Sequence, residues 1–179
     1  VVGAGHVNGI VAWLKNLHEK EQSTDLSDIE TIPRKSVIAR VGPFIVPVLI
    51  ISLIIGGFFF GGQAKGIDMI ITWFLVNGIL SALGAIAALA NPLTILTAFV
   101  AAPFTSLNPL VPAGLVSGLV EYGMKRPRVV DFEQISVDIV SFRGFYRNRF
   151  IHILLVFFFT SLGSAIGTFA AGIPMIKHF

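Results

Sequence analysis

The sequence predicts an all-α membrane protein, a polytopic helical bundle of three clear spans and two short helices, preceded by a remnant of an α/β soluble domain. Three observations carry that expectation. Hydrophobic residues make up 54% of the 179 positions and charged residues only 13%, against about 25% charged in a soluble domain, and the mean hydropathy is +0.83. Charge is absent from long runs of about twenty residues, which at about 1.5 Å per residue match the roughly 30 Å hydrocarbon layer of a bilayer. Finally, Lys and Arg flank these runs instead of gathering on one water-facing surface, so the net charge of +3 reads as topology and lipid contact, not nucleic-acid binding.

Residues 1–40 are water-compatible and read as the C-terminal remnant of a soluble domain with its linker. Val1 and Val2 suit the end of a strand, Gly3 to Gly5 a turn, and Asn8 an N-cap. Ile10, Val11, Leu14 and Leu17 then recur at helical spacing, and a polar linker runs from Glu21 to Pro33. Forty residues bury too little surface for a core, since about 60 is already marginal. With valine first and no signal peptide ahead of it, the chain is expected to be part of a longer protein. The absence of cysteine excludes disulfides and thiolate metal sites.

The membrane domain is expected over 41–179, with spans at about 41–60, 67–90 and 150–173. Pro43 and Pro47 fall in the first turns of the first span, where a missing N–H costs least. Between the second and third spans, Asn91-Pro92-Leu93 and Asn108-Pro109-Leu110 each suit a helix start, asparagine capping and proline at the first helical position. They predict short helices over about 92–103 and 109–124. These are either two half-helices of a re-entrant segment or two short tilted crossings.

Basic residues then set an orientation. Arg34, Lys35 and Arg40 precede the first span, and Lys125, Arg126, Arg128, Arg143, Arg147 and Arg149 fill the stretch 125–149. Both stretches are expected on the cytoplasmic side of the cell membrane. Segment 125–149, with Asp131 and Gln134 at capping-box spacing and an apolar stripe of Phe132, Ile135, Ile139 and Phe142, predicts an amphipathic helix. It lies either on anionic lipid or against a soluble domain. Small-residue pairs four apart (Gly57/Gly61, Gly84/Ala88, Gly114/Gly118, Gly163/Gly167) predict close helix packing and, more weakly, a homo-oligomer.

Candidate chemistry is sparse. Gly3, Gly5 and Gly9 loosely match a dinucleotide loop, but a polar linker and apolar runs follow where further strands would be needed. His6 is a candidate catalytic or metal-binding group, yet a catalytic zinc needs about three protein ligands and the other histidines offer no partner. Asn91 and Asn108 are candidate substrate-binding positions: two helix N-termini there would aim partial positive charge at one intramembrane spot, suited to a peptide carboxylate. Thr72, Asn77, Ser161 and Ser164 would line it, or would simply bond neighbouring helices.

The segments VVGAGHVNGI at 1–10, IPRKS at 32–36, APFTSLNPLVPAGLVSGLVE at 102–121 and NRFIHILLVFFFTSLGSAIGTF at 148–169 together resemble the membrane half of prokaryotic TraB/PrgY proteins, with the end of their soluble domain. That resemblance covers nearly the whole chain. It implies pheromone-shutdown activity and a soluble domain similar to the TIKI group of metal-dependent peptidases, which use two G-x-x-H motifs. Gly3-Ala4-Gly5-His6 matches the second, which gives His6 its metal or catalytic role; the first, with its glutamate and arginine, is absent from this chain. The resemblance therefore implies a divalent metal and a peptide-inactivating activity only in a full-length protein, anchored here to the bilayer. A small transporter or channel built on the Asn-Pro half-helices, and a structural oligomerisation module, are the alternatives.

Overall fold

The structure is a computed structural model describing residues 3–20 and 36–177, and the chain divides into two units, residues 1–36 and 37–179. All the described secondary structure is helical. In the first unit a 3-10 turn, Ala4–His6, runs into helix α1, Val7–Lys20. The turn is closed by His6 N–H donating to the Gly3 carbonyl at 3.0 Å. Asn8 therefore lies inside the helix and does not cap it. The expected α/β remnant is not seen: the described part of this unit contains only the turn and α1, and the strand expected at Val1 and Val2 lies outside the described residues, as does the linker.

The second unit contains α2 (Val37–Ala87), α3 (Pro92–Thr105), α4 (Ala113–Lys125), the short helices α5 (Val129–Glu133), α6 (Ile135–Asp138) and α7 (Phe142–Arg147), and α8 (Arg149–Lys177). Among the described residues two helices, not the expected three, are long and apolar enough to cross a membrane: Val37–Ala87 and Arg149–Ile176. The first two expected spans are one 51-residue helical run, because the stretch expected between them, 61–66, includes the good helix formers Gln63, Ala64 and Lys65 and stays helical apart from Gly62. The run is broken at Gly62 alone, with φ 76° and ψ 179°, a conformation that a side chain would oppose. There α2 doubles back. Ile50 shares one buried cluster with Met69 and Trp73, although an unbroken helix would separate Ile50 and Trp73 by roughly 35 Å.

Helix α8 packs along α2 and α4, and α3 packs along α2 and α4. Two apolar clusters result. One joins Ile50, Met69, Trp73, Ala171 and Met175; the other joins Ala85, Ala88, Ala90, Ala98 and Val156. Trp73 Nε1 donates to the Pro103 carbonyl at 3.1 Å, tying α2 to the last turn of α3. The glycines expected to mediate packing do so within this chain. A Cβ at Gly84 would run into the Phe159 carbonyl, one at Gly114 into that of Phe157, and one at Gly163 into that of Leu80.

Other boundaries differ from expectation. Helix α3 starts as predicted after Asn91 with proline at its head, but Asn91 makes no side-chain cap. Helix α4 starts at Ala113 and not at Pro109, because the Asn108 side chain accepts from Leu110 N–H at 3.0 Å and its carbonyl from Val111 N–H at 3.2 Å, which closes a turn. Segment 125–149 is three short helices, not one. Asp131 sits three residues after the N-cap Arg128 and accepts its N–H at 2.7 Å, while Ser141 caps α7 by accepting from Gly144 N–H at 3.0 Å.

Substituting Gly84 by valine forces backbone apart at the α2–α8 contact. It should cost about 1–3 kcal/mol, read as a lowered Tm of the detergent-solubilised protein. Gly123→Ala, where a Cβ meets nothing within 4 Å, should leave Tm unchanged.

Candidate functional site

Four residues of α4 lie on one face at helical spacing, Gly114, Ser117, Gly118 and Glu121, and all are buried. The two glycines let α4 approach α8, and that approach carries Glu121 inside the bundle, where it is 0% exposed. One carboxylate oxygen, Oε2, accepts from Thr94 Oγ1 at 2.6 Å, in the first turn of α3, and from the N–H of its N-cap Asn91 at 3.0 Å. The other, Oε1, lies 3.5 Å from His152 Nδ1 on α8 and 3.6 Å from Lys125 Nζ one turn further along α4. Neither Oε1 nor His152 Nδ1 has a hydrogen-bond partner, so on that side the Lys125 ammonium, not a well-formed hydrogen bond, faces the carboxylate. Lys125 is 31% exposed while His152 is 1% exposed, which makes Lys125 the cluster's link to the outside.

The surroundings are as ordered as the cluster. Leu89 sits at φ 56° in the link between α2 and α3, where glycine is the usual residue after a helix end. The Ala90 N–H returns to the Ala85 carbonyl at 3.0 Å. Tyr146 Oη donates to the Ala87 carbonyl at 3.3 Å and its ring stands edge-on to His152, with centroids 6.3 Å apart. Asn148, 2% exposed, accepts from the N–H groups of Phe150 and Ile151 at 3.0 and 3.2 Å and so caps α8. Its amide donates to the Asp131 carbonyl at 2.7 Å and to Asp138 Oδ2 at 2.9 Å.

A second polar group lies further along α8. Asn77 Oδ1 accepts from Ser106 Oγ at 3.0 Å and Ser164 Oγ at 3.2 Å, and its amide donates to Thr168 Oγ1 at 3.0 Å. Ser81 Oγ donates to the Thr160 carbonyl at 3.1 Å. Asn77 and Ser164 thus meet, bonding neighbouring helices. Ser161 is elsewhere, accepting the Gly114 N–H at 3.1 Å, and Thr72 joins neither group.

The other sequence candidates are dispersed. Asn91 precedes α3 and Asn108 follows its other end, a helix about 20 Å long at 1.5 Å per residue, so their positions do not converge. The carboxylate expected at the Asn91 helix start is there, but it is the chain's own Glu121. His6 lies exposed in the first unit. Among the described residues no three His, Asp or Glu side chains gather as a metal site. Glu121 and His152 escaped the sequence reading, in which His152 sits at the mouth of a span without a partner. The signal for Glu121 was its place in the stripe of Gly114, Ser117 and Gly118; nothing local in sequence pairs it with His152.

An all-helical domain with two helices of membrane-crossing length, apolar outside and polar at its internal contacts, is the class these features define. Its family follows from comparison. A profile described as "TraB family protein, C-terminal domain" matches residues 38–179, and the chain belongs to the TraB family. It is 35% identical over 175 residues to an uncharacterised protein of Methanocaldococcus jannaschii, an alignment covering 94% of this chain and 43% of that protein. The chain thus spans less than half the length of this curated relative. No solved structure matches.

Replacing Glu121 by alanine strands the Asn91 N–H and the Thr94 hydroxyl and removes the partner of Lys125. Loss of one partner from such a buried set costs about 3–5 kcal/mol. E121A should therefore lower Tm more than E121Q, which keeps an oxygen for Asn91 and Thr94; equal Tm values for E121A and wild type would show that the cluster holds nothing together.

Proposed function

We propose that residues 37–179 are an integral membrane domain that anchors a longer TraB family protein in the cell membrane, with segment 125–149 at the cytoplasmic face. One observation carries this reading: the second unit distributes its side chains in the reverse of a water-soluble protein. Asn77, Ser81, Thr94, Ser117 and Glu121 are 0% exposed, whereas Ile38 is 81%, Phe59 83% and Leu110 78% exposed. Water penalises a surface of that kind at about 25 cal/mol per Å2 of apolar area, while hydrocarbon does not. Hydrocarbon also obliges polar groups to bond one another, as Asn77, Ser106, Ser164 and Thr168 do. That mutual bonding favours an anchor over a pore lined by the same residues. The small-residue faces are likewise used for contacts within the chain, which favours an anchor over an oligomerisation module.

Helices α3 and α4, of 14 and 13 residues, reach only about 20 Å each. The bond between Asn91 and Glu121 joins the beginning of one to the end of the other. They form a re-entrant hairpin opening to the cytoplasmic face. The anchored cargo is a peptide- or pheromone-inactivating domain that uses a divalent metal, with His6 contributing one ligand and the rest of the longer protein supplying the others.

Two experiments test the two halves of this reading. After alkaline carbonate washing of membranes, the chain should stay in the pellet and need detergent for release; a monodisperse species in plain buffer would end the anchoring account. In the longer protein, peptide cleavage should disappear on chelation and in His6→Ala, while this chain alone cleaves nothing. Cleavage indifferent to both treatments would remove the metal role of His6.

A further inference from the structure

Inside the bundle two buried polar atoms face each other with no hydrogen bond between them. Glu121 Oε1 and His152 Nδ1 stand 3.5 Å apart, their side chains 0% and 1% exposed, and neither has a hydrogen-bond partner. A carboxylate oxygen only accepts. The ring also meets the backbone carbonyls of Leu89 and Ala88, which likewise only accept. Because Nδ1 is unpartnered, those carbonyls fall to Nε2, which places the hydrogen of a neutral ring there and leaves Nδ1 a bare lone pair. The gap lacks one proton. A second feature singles it out: Oε1 has two basic groups at nearly equal distance, His152 Nδ1 at 3.5 Å and Lys125 Nζ at 3.6 Å. Lys125, at 31% exposure, can turn out into water, whereas His152 cannot. The other elements packed here are already engaged. Thr94 and the Asn91 N–H bond Oε2, and Tyr146 of α7 stands edge-on to the ring. Arg149, on α8 itself, donates to the Lys125 and Arg126 carbonyls at 3.3 and 3.5 Å. One turn further along α8, Val156 packs with Ala85, Ala88 and Ala98, so apolar side chains back the pair and Lys125 stands at its way out.

We infer that Glu121 and His152 form a binding site for a single proton, taken up past Lys125, and that the protonated ring and the Lys125 ammonium compete for Oε1. Without the proton, Lys125 balances the carboxylate. When Nδ1 takes a proton from solvent, its N–H donates to Oε1, while Nε2–H stays with the Leu89 and Ala88 carbonyls. Imidazolium and carboxylate then cancel inside the bundle, and Lys125 is released to water. Each state sets one cation against Oε1, so the buried carboxylate is never left unpaired, the condition under which burial becomes costly. The site lies within the chain and does not depend on the anchoring account.

The test is a pH titration of the imidazole nitrogens by NMR, on the detergent-solubilised chain carrying isotope-labelled histidine. H152N identifies the His152 signals among the four histidines. At high pH Nε2 should carry the hydrogen and Nδ1 none; on acidification both should become protonated in one step between about pH 9 and 4. E121Q, which keeps an oxygen for Asn91 and Thr94, should bring the midpoint down by about one pH unit or more. K125M, which removes the competing ammonium, should raise it by about one unit, equivalent to about tenfold tighter proton binding. K125R should keep the wild-type midpoint. Because Lys125 is partly exposed, K125M should change Tm little, so its midpoint is read on a folded protein. A hydrogen on Nδ1 already at high pH, the absence of any step in the wild type, or a midpoint unmoved by E121Q or by K125M would each overturn the site.

Discussion

The Glu121 carboxylate is the constraint on which the second unit depends. Its Oε2 closes the start of α3 onto the end of α4, and its Oε1 draws in His152 from the first turn of α8. Three helices thus converge on one side chain with no solvent exposure. A carboxylate in that position is costly to bury, and the two hydrogen bonds to Oε2, with Lys125 near Oε1, offset part of that cost, so the convergent elements help to keep one another in place. The link between α2 and α3 shows the consequence. Leu89 holds a left-handed backbone that costs a non-glycine residue roughly 1–2 kcal/mol, and the fixed position of Asn91 beside Glu121 sustains it.

Asn148 plays a comparable part at the outer edge of the bundle. It caps α8 with its carbonyl oxygen and gathers Asp131 and Asp138 with its amide. The fragmented segment 125–149 is therefore bound to the same end of α8 that presents His152. One amide gives the amphipathic stretch a defined position instead of leaving it as a freely lying helix.

Much of this was legible in the sequence, and the misses have identifiable causes. Uncharged runs gave the long apolar helices, proline after asparagine gave the start of α3, and four-residue spacings of glycine gave the close contacts, because each depends on local chemistry. The doubling of α2 was read as two spans separated by residues 61–66, since the end of an uncharged run does not show that Gln63 to Lys65 stay helical. Asn108 offered the same start signal as Asn91, and only the competing turn with Leu110 and Val111 distinguishes them. The pairing of Glu121 with His152 spans 31 positions and is set by tertiary packing, which no local pattern encodes.

The tight reversal at Gly62 bears on how such a domain reaches the bilayer. With a single non-helical residue between them, the two arms of α2 cannot be handled one after the other by an insertion machinery that expects a polar connection. On the membrane reading proposed above, they would enter side by side, already paired, with Gln63, Lys65 and Asp68 as the polar side chains next to the reversal. Biogenesis would then begin with a preformed hairpin rather than with a succession of independent crossings.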